Sequence, residues 1–249
     1  MKISIITVCY NSSATIERTI KSVLAQDCLD IEYLIIDGGS TDGTVEIIKK
    51  YSDKVYKFIS EKDGGIYDAM NKGIKLATGN VIGILNSDDF YANNSVLSEV
   101  KNVFNSNAVD AVYGNIAYFL YGEENKIVRY WKAGEFSQLK MRNGWMPPHP
   151  AFFVKREWYK KFGDFKLDFG TSADYELLLR FMLAEIKMKY INKTFVYMQA
   201  GGASAKNLKT RWIAWKMIRK AWECNGKHPP LFLIERRIFS KIIQFIFKK

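Results

Sequence analysis

The chain has 249 residues, 48% of them hydrophobic and 14% aromatic, which excludes a disordered chain and allows one large domain, alone or with an appendage. Its net charge of +11 is uneven: residues 205–249 carry twelve Lys and Arg against two acids, leaving a near-neutral remainder. Three cysteines, Cys9, Cys28 and Cys224, lack CxxC spacing and are odd in number, which argues against a disulfide framework or zinc site and for a reducing compartment.

Ile3 to Cys9 is a β-branched apolar run. It lacks the cleavage pattern of a signal peptide and reads as a first strand. Tyr10 to Ser13 supply a turn and cap for a helix over about Ala14 to Gln26, where Ile16, Ile20, Val23 and Leu24 share a face. Ile31 to Ile36 reads as a second strand, closed by the Gly-rich loop Asp37 to Thr44. Helix, strand and helix follow over Thr44–Tyr51, Val55–Ser60 and Ile66–Ala77.

Val81, Ile82, Ile84 and Leu85 form a short run that is apolar on both faces, as expected of a strand in a covered parallel sheet. Asp88 and Asp89 then stand at its carboxyl end, where open α/β sheets bind ligands. Adjacent acids repel unless donors or a cation compensate them, and a hard divalent ion does so economically. Taken alone, Asn86-Ser87-Asp88-Asp89 is equally a polar turn capping a helix.

Four strands alternating with helices predict a parallel α/β sheet whose ligand edge gathers Tyr10, Asp37, Asp63 and Asp88. Neither GxGxxG nor a P-loop occurs at these turns. After a helix near Ser95 to Asn105, shorter strands at Val109–Tyr113, Ile116–Tyr121 and Ile127–Trp131 predict a mixed or antiparallel extension. The stiff loop Gly144 to Pro150 contains His149, and a strand over Ala151–Val154 and a helix over Trp158–Phe162 follow it. Asp174 falls in the first turn of a helix with Leu177, Leu178, Phe181 and Met182 on its core face; complementing the helix dipole would by itself explain it.

Together these stretches resemble the bacterial family 2 glycosyltransferases of GT-A fold, especially small enzymes of surface-polysaccharide clusters. The resemblance covers residues 1–204 and rests on Ile5-Ile6-Thr7-Val8-Cys9-Tyr10-Asn11, Ile36 to Thr44, Glu61 to Asn71, Leu85 to Asp89, Pro148-His149-Pro150, Ala173 to Leu177 and Gly201 to Ser204. It implies a GT-A, Rossmann-like, mostly parallel sheet with a mixed extension, and an inverting transferase using a nucleotide-sugar donor, UDP-linked by preference. Thr7, Tyr10, Asp37, Asp63, Gly64, Tyr67, Asp68, Asn71, Asn86, Ser87 and Asp89 would line the donor pocket, with Asp37 accepting from base or ribose. Asp88 would bind Mn²⁺ or Mg²⁺ at the diphosphate. Asp174 would deprotonate the acceptor hydroxyl, and His149, Gly201, Gly202 and Ser204 would stand at the acceptor or diphosphate mouth. The chain departs from the family pattern at Asn86, where the first acid of D-x-D usually stands, at Gly38, commonly acidic, and at Ala173, commonly Glu. A non-catalytic nucleotide-sugar or polysaccharide-binding module of the same fold is the alternative.

Residues 205–249 form a basic, amphipathic, helical tail. Leu208, Trp212, Trp215, Ile218 and Trp222 make one stripe, and Ile234, Ile238, Ile242, Phe245 and Ile246 a second, both interleaved with Lys and Arg. Neither segment has the ~20 apolar residues of a spanning helix. The pattern fits helices on an anionic membrane surface, and equally stripes packed on the domain. No nucleic-acid motif accompanies the basic charge. The resulting expectation is a cytoplasmic enzyme, peripheral on the inner face of the cell membrane, acting on a lipid-linked saccharide.

Overall fold

The computed structural model describes residues 1–201 and 208–246. The first half is the alternation expected: β1 (Ile3–Cys9), α1 (Ile16–Leu24), β2 (Ile31–Asp37), α2 (Thr44–Lys49), β3 (Lys57–Ser60), α3 (Ile66–Leu76) and β4 (Val81–Asn86). β1 pairs in parallel with β2 and β4, and β2 with β3. All seven β1 residues are buried, because helices cover both faces of the sheet. The period of two sends Ile6 and Val8 to one apolar cluster and Ile3 and Ile5 to the other.

The second half comprises β5 (Phe90–Tyr91), α4 (Val96–Ser106), β6 (Ala111–Leu120), β7 (Glu123–Trp131), α5 (Gln138–Arg142), β8 (Phe152–Lys155), α6 (Arg156–Phe162), α7 (Ala173–Leu183), β9 (Met188–Gln199), α8 (Leu208–Cys224) and α9 (Leu233–Ile246). The sheet order is β3-β2-β1-β4-β8-β6-β9-β5, with β7 paired to β6. β8 runs antiparallel to β4 and β6, while β6 and β9 are parallel, which gives a curled, mostly parallel sheet with a mixed extension.

Several elements differ from the sequence reading: β5 and α5 were not anticipated, and β7 begins at Glu123 rather than Ile127. The two strands expected at 109–121 are one strand, β6, and its Gly114 lets Phe195 of β9 pack close, since a Cβ there would lie 2.5 Å from the Phe195 ring. β9 was not anticipated: its centre, Ile191-Asn192-Lys193-Thr194, breaks the alternation that marks a strand.

α8 and α9 pack on the domain. Ile218, Ala221, Trp222, Leu233 and Ile234 are buried in the same cluster as the core face of α7, and Trp222 Nε1 donates to the Tyr175 hydroxyl at 3.0 Å. Trp212, Ile213, Leu231, Phe232 and Phe239 remain exposed. Among the described residues no helix is long and apolar enough to cross a membrane.

Candidate active site

Three loops at the carboxyl ends of β1, β2 and β4 are tied into one rim. Asn11, held at φ 48°, donates its backbone N–H to Ser40 Oγ at 2.8 Å and accepts from the Thr41 N–H at 3.0 Å. Asp42 accepts from Ser13 N–H at 3.0 Å and from the Thr44 hydroxyl at 2.5 Å, and these bonds hold its carboxyl far below the usual range. Ser12 and Ser87 share a hydroxyl contact of 2.8 Å.

Asp37 is fully buried beneath this rim. Its carboxylate accepts from the Gly39 N–H at 3.1 Å, the Ser40 N–H at 2.9 Å, Ser60 Oγ at 2.7 Å and the Ser40 hydroxyl. Burial pushes its pKa up, but the Ser40 and Ser60 bonds prevail and the pKa falls. Asp37 thus organises its own loop. Thr7 is also buried, receiving the Tyr33 hydroxyl at 3.1 Å, and Asn71 binds both backbone polar groups of Phe165 at 2.9 Å. Tyr10, by contrast, stands open at 64% exposure.

On the next loop Asp63 accepts from the Gly65 N–H at 2.8 Å and Asp68 from the Gly64 N–H at 2.9 Å. The Asp63 carboxylate stands against Gly38, so close that a Cβ there would lie 2.7 Å from Oδ2. The glycine leaves room for an acid delivered from another loop.

The Asp pair stands at the end of β4 as expected. Thr19 Oγ1 lies 3.0 Å from the Ser87 carbonyl and 2.7 Å from that of Asp89, and Arg18 donates to the Asp88 carbonyl at 3.1 Å, so α1 fixes the turn. Burial raises the Asp88 pKa. Asp89 is fully buried, and burial followed by repulsion from Asp88 raises its pKa strongly, despite donors from Gln199 N–H and Asn86 Nδ2, each at 3.3 Å. Asn86 Oδ1 and Gln199 Oε1 are buried acceptors with no hydrogen-bond donor among the described residues. Two carboxyls whose ionisation burial opposes, beside two orphaned acceptors, fit a hard divalent cation. No group of three or more His, Cys, Asp or Glu is assembled among the described residues, so such an ion would complete its shell with ligand and water.

Asp174, at the start of α7, belongs to a second wall. Its charge acts on Tyr67: burial and then this charge push the phenol pKa far up. Asp174 also acts on His149, whose pKa burial lowers and whose ring meets Phe165 edge-on at 5.5 Å. Glu176 is occupied elsewhere: it is buried and paired with Arg180 at 2.6 Å and Lys166 at 2.9 Å. Tyr118 links the walls. Burial raises its pKa to about 12 within the combined field of Arg129, Asp89, Asp174 and Arg237. Gly201 forms a turn at φ 96°; Gly202 and Ser204 lie outside the described residues.

Sequence reasoning missed Gln199, Tyr118, Arg129 and Arg237. β9, the β6–β7 hairpin and α9 bring them to the site, and none carries a local motif.

Residues 4–163 match the family described as Glycosyl transferase family 2. The chain belongs to this family. This family 2 glycosyltransferase is 35% identical over 181 residues to an uncharacterized glycosyltransferase of Mycobacterium tuberculosis, a match covering 72% of this chain and 68% of the relative. Its fold is GT-A. It is similar to S. aureus TarS 1-349 in complex with UDP-GlcNAc, with TM-score 0.72 and 17% identity over 99% of this chain and 73% of that one. It is also similar to the mannosyltransferase PcManGT from Pyrobaculum calidifontis in complex with GDP-Man and Mn²⁺, with TM-score 0.64 and 17% identity over 96% and 69%.

Proposed function

We propose that the chain is an inverting, metal-dependent hexosyltransferase that moves a sugar from a UDP-sugar to a lipid-linked oligosaccharide during synthesis of an O-antigen, capsule or exopolysaccharide. The observation that supports this reading is the buried, acceptor-rich group at the end of β4, where Asp88 and Asp89 stand with Asn86 Oδ1 and Gln199 Oε1; the charges of Asp89 and Asp174 both reach Tyr118.

Asp88 and Asp89, with the Asn86 amide oxygen, would hold Mn²⁺ or Mg²⁺, which stabilises negative charge on the departing nucleoside diphosphate. Exposed Tyr10 and Gly64 and half-buried Asp63 would form the rim for base and ribose, with Asp63 supplying the acid that residue 38 lacks. On the other wall Asp174 is the base. The acceptor oxygen bonds the anomeric carbon as the bond to diphosphate breaks, and its proton passes to the Asp174 carboxylate. The Tyr175 N–H, 2.7 Å from Asp174 Oδ1, orients that carboxylate, Tyr67 lies within its field, and His149, held neutral by burial, shapes the acceptor mouth. A base opposite the leaving group gives inversion. The exposed aromatics and basic charge of the C-terminal helices support a peripheral place on the inner face of the cell membrane.

Titration with UDP and with GDP, each with Mn²⁺ and then with EDTA, tests the donor wall. Metal-dependent binding of UDP is expected, and failure to bind either nucleotide would overturn the reading. Asp174→Asn should abolish transfer while retaining donor binding; normal turnover would remove it as the base.

A further inference from the structure

Between β7, the segment 132–146 and α9 lies a cavity of about 1250 Å³ that the donor and base assignments do not use. Trp131, Trp145, Leu139 and Phe239 give it apolar walls. The walls are fixed from behind, because Trp145 Nε1 donates to the Ala133 carbonyl at 2.9 Å and the Tyr113 hydroxyl to the Gly134 carbonyl at 2.9 Å. Leu139 and Phe239 are 69% and 67% exposed, which marks the open end as an apolar lip. Its charge is one-sided: Lys132, Lys140, Arg236 and Arg237 line it against the single acid Glu235.

Arg237 marks the end of the cavity nearest α7. Its guanidinium lies 4.7 Å from the centre of the Tyr175 ring, next in sequence to Asp174, and donates to the Gly144 carbonyl. Its charge reaches both Tyr118 and Arg129. The cavity therefore has a cationic end at Arg237, against Tyr175 of α7, and an apolar outer end open to the surroundings. A free neutral saccharide could stack on the tryptophans but, like a neutral lipid, would bring no anion to the arginines, and it would leave the apolar lip of Leu139 and Phe239 uncovered. A molecule with a phosphate group joined to a long hydrocarbon chain matches both.

We propose that this cavity holds the lipid portion of the acceptor, a prenyl-type chain along Trp131, Trp145 and Phe239 with its phosphate or diphosphate at Arg237. This assignment rests on the transfer reading above and extends it to the acceptor's carrier.

The test titrates the full chain with farnesyl diphosphate, inorganic pyrophosphate and farnesol, each below its micelle threshold. Burial of even a few methylene groups predicts that farnesyl diphosphate binds at least about 100-fold tighter than pyrophosphate. Phe239→Glu and Leu139→Glu change exposed side chains without touching the core, and each should weaken farnesyl diphosphate at least tenfold. Arg237→Gln should weaken farnesyl diphosphate and leave farnesol unchanged. Equal binding of pyrophosphate and farnesyl diphosphate, or full affinity in both Glu variants, would overturn the proposal. Nucleotide titration on the same samples keeps the two readings apart: loss of nucleotide binding strikes the donor wall, and loss of prenyl selectivity strikes the cavity.

Discussion

Glu32 offers a perturbation whose size follows from the structure. It is buried in β2, at the edge of the sheet opposite the site. Its carboxylate accepts from Ser4 Oγ at 2.5 Å, the Thr78 N–H at 2.7 Å and Thr78 Oγ1 at 2.5 Å, and pairs with Lys2 Nζ at 2.8 Å. Burial works against ionisation, but these donors outweigh it and lower the pKa from 4.5 to about 2. At 1.36 kcal/mol per pKa unit the ionised form contributes about 3 kcal/mol. Because the folded pKa is depressed, that contribution is present above pH 4.5 and is lost as pH falls towards 2. Glu32→Gln supplies the neutral isostere. Urea unfolding at pH 7 should show it about 3 kcal/mol less stable than the parent, with the gap closing in acid and nucleotide affinity unchanged while folded. A gap below about 1 kcal/mol at pH 7, or one that does not shrink in acid, would refute the assignment.

Asp88 and Asp89 have the opposite sign. Their raised pKa values mean that, without a cation, ionisation opposes folding, and their contribution is lost as pH rises through the folded pKa values. Mn²⁺ alone should therefore raise Tm, increasingly with pH above the usual carboxylate range; a shift retained in full by Asp88→Asn would place the ion elsewhere. Gly38→Val should displace the Asp63 carboxylate and weaken nucleotide binding about tenfold, the loss of one charge-assisted hydrogen bond. Asp63→Ala should match it and the double variant should add nothing; additive losses by titration would show that the two positions act separately.

The sequence made legible whatever a run of consecutive residues dictates. β4 is apolar on both faces and ends at an acid pair, so its place and that of Asp88 followed without tertiary information. The hydrogen-bond partners of Asp37 and Asn71 did not follow. Both sit in motif stretches, yet their polar atoms are taken by Ser40 and Ser60 in one case and by the Phe165 backbone in the other. A one-dimensional pattern places a carboxylate at a strand end without saying which donors the fold will bring to it. The same holds for Gln199, Arg129 and Arg237, on strands and a helix far along the chain from the Asp pair.

The C-terminal helices show what periodicity leaves open. Hydrophobic spacing identified two amphipathic helices, but a stripe that faces protein and one that faces lipid have the same period. The structure divides them residue by residue: Ile218, Trp222, Leu233 and Ile234 join the core, whereas Trp212, Phe232 and Phe239 stay outside. Of these residues, only the second set would be available to the membrane contact proposed above. Deleting residues 230–249 would also strip Leu233 and Ile234 from the core, so lost vesicle binding in that truncation would not separate unfolding from a lost lipid surface. Phe232→Glu with Phe239→Glu makes that separation: the core side chains stay in place, and release from anionic vesicles with an unchanged Tm assigns the surface to lipid. Retention on the vesicles would leave the helices as packing elements only.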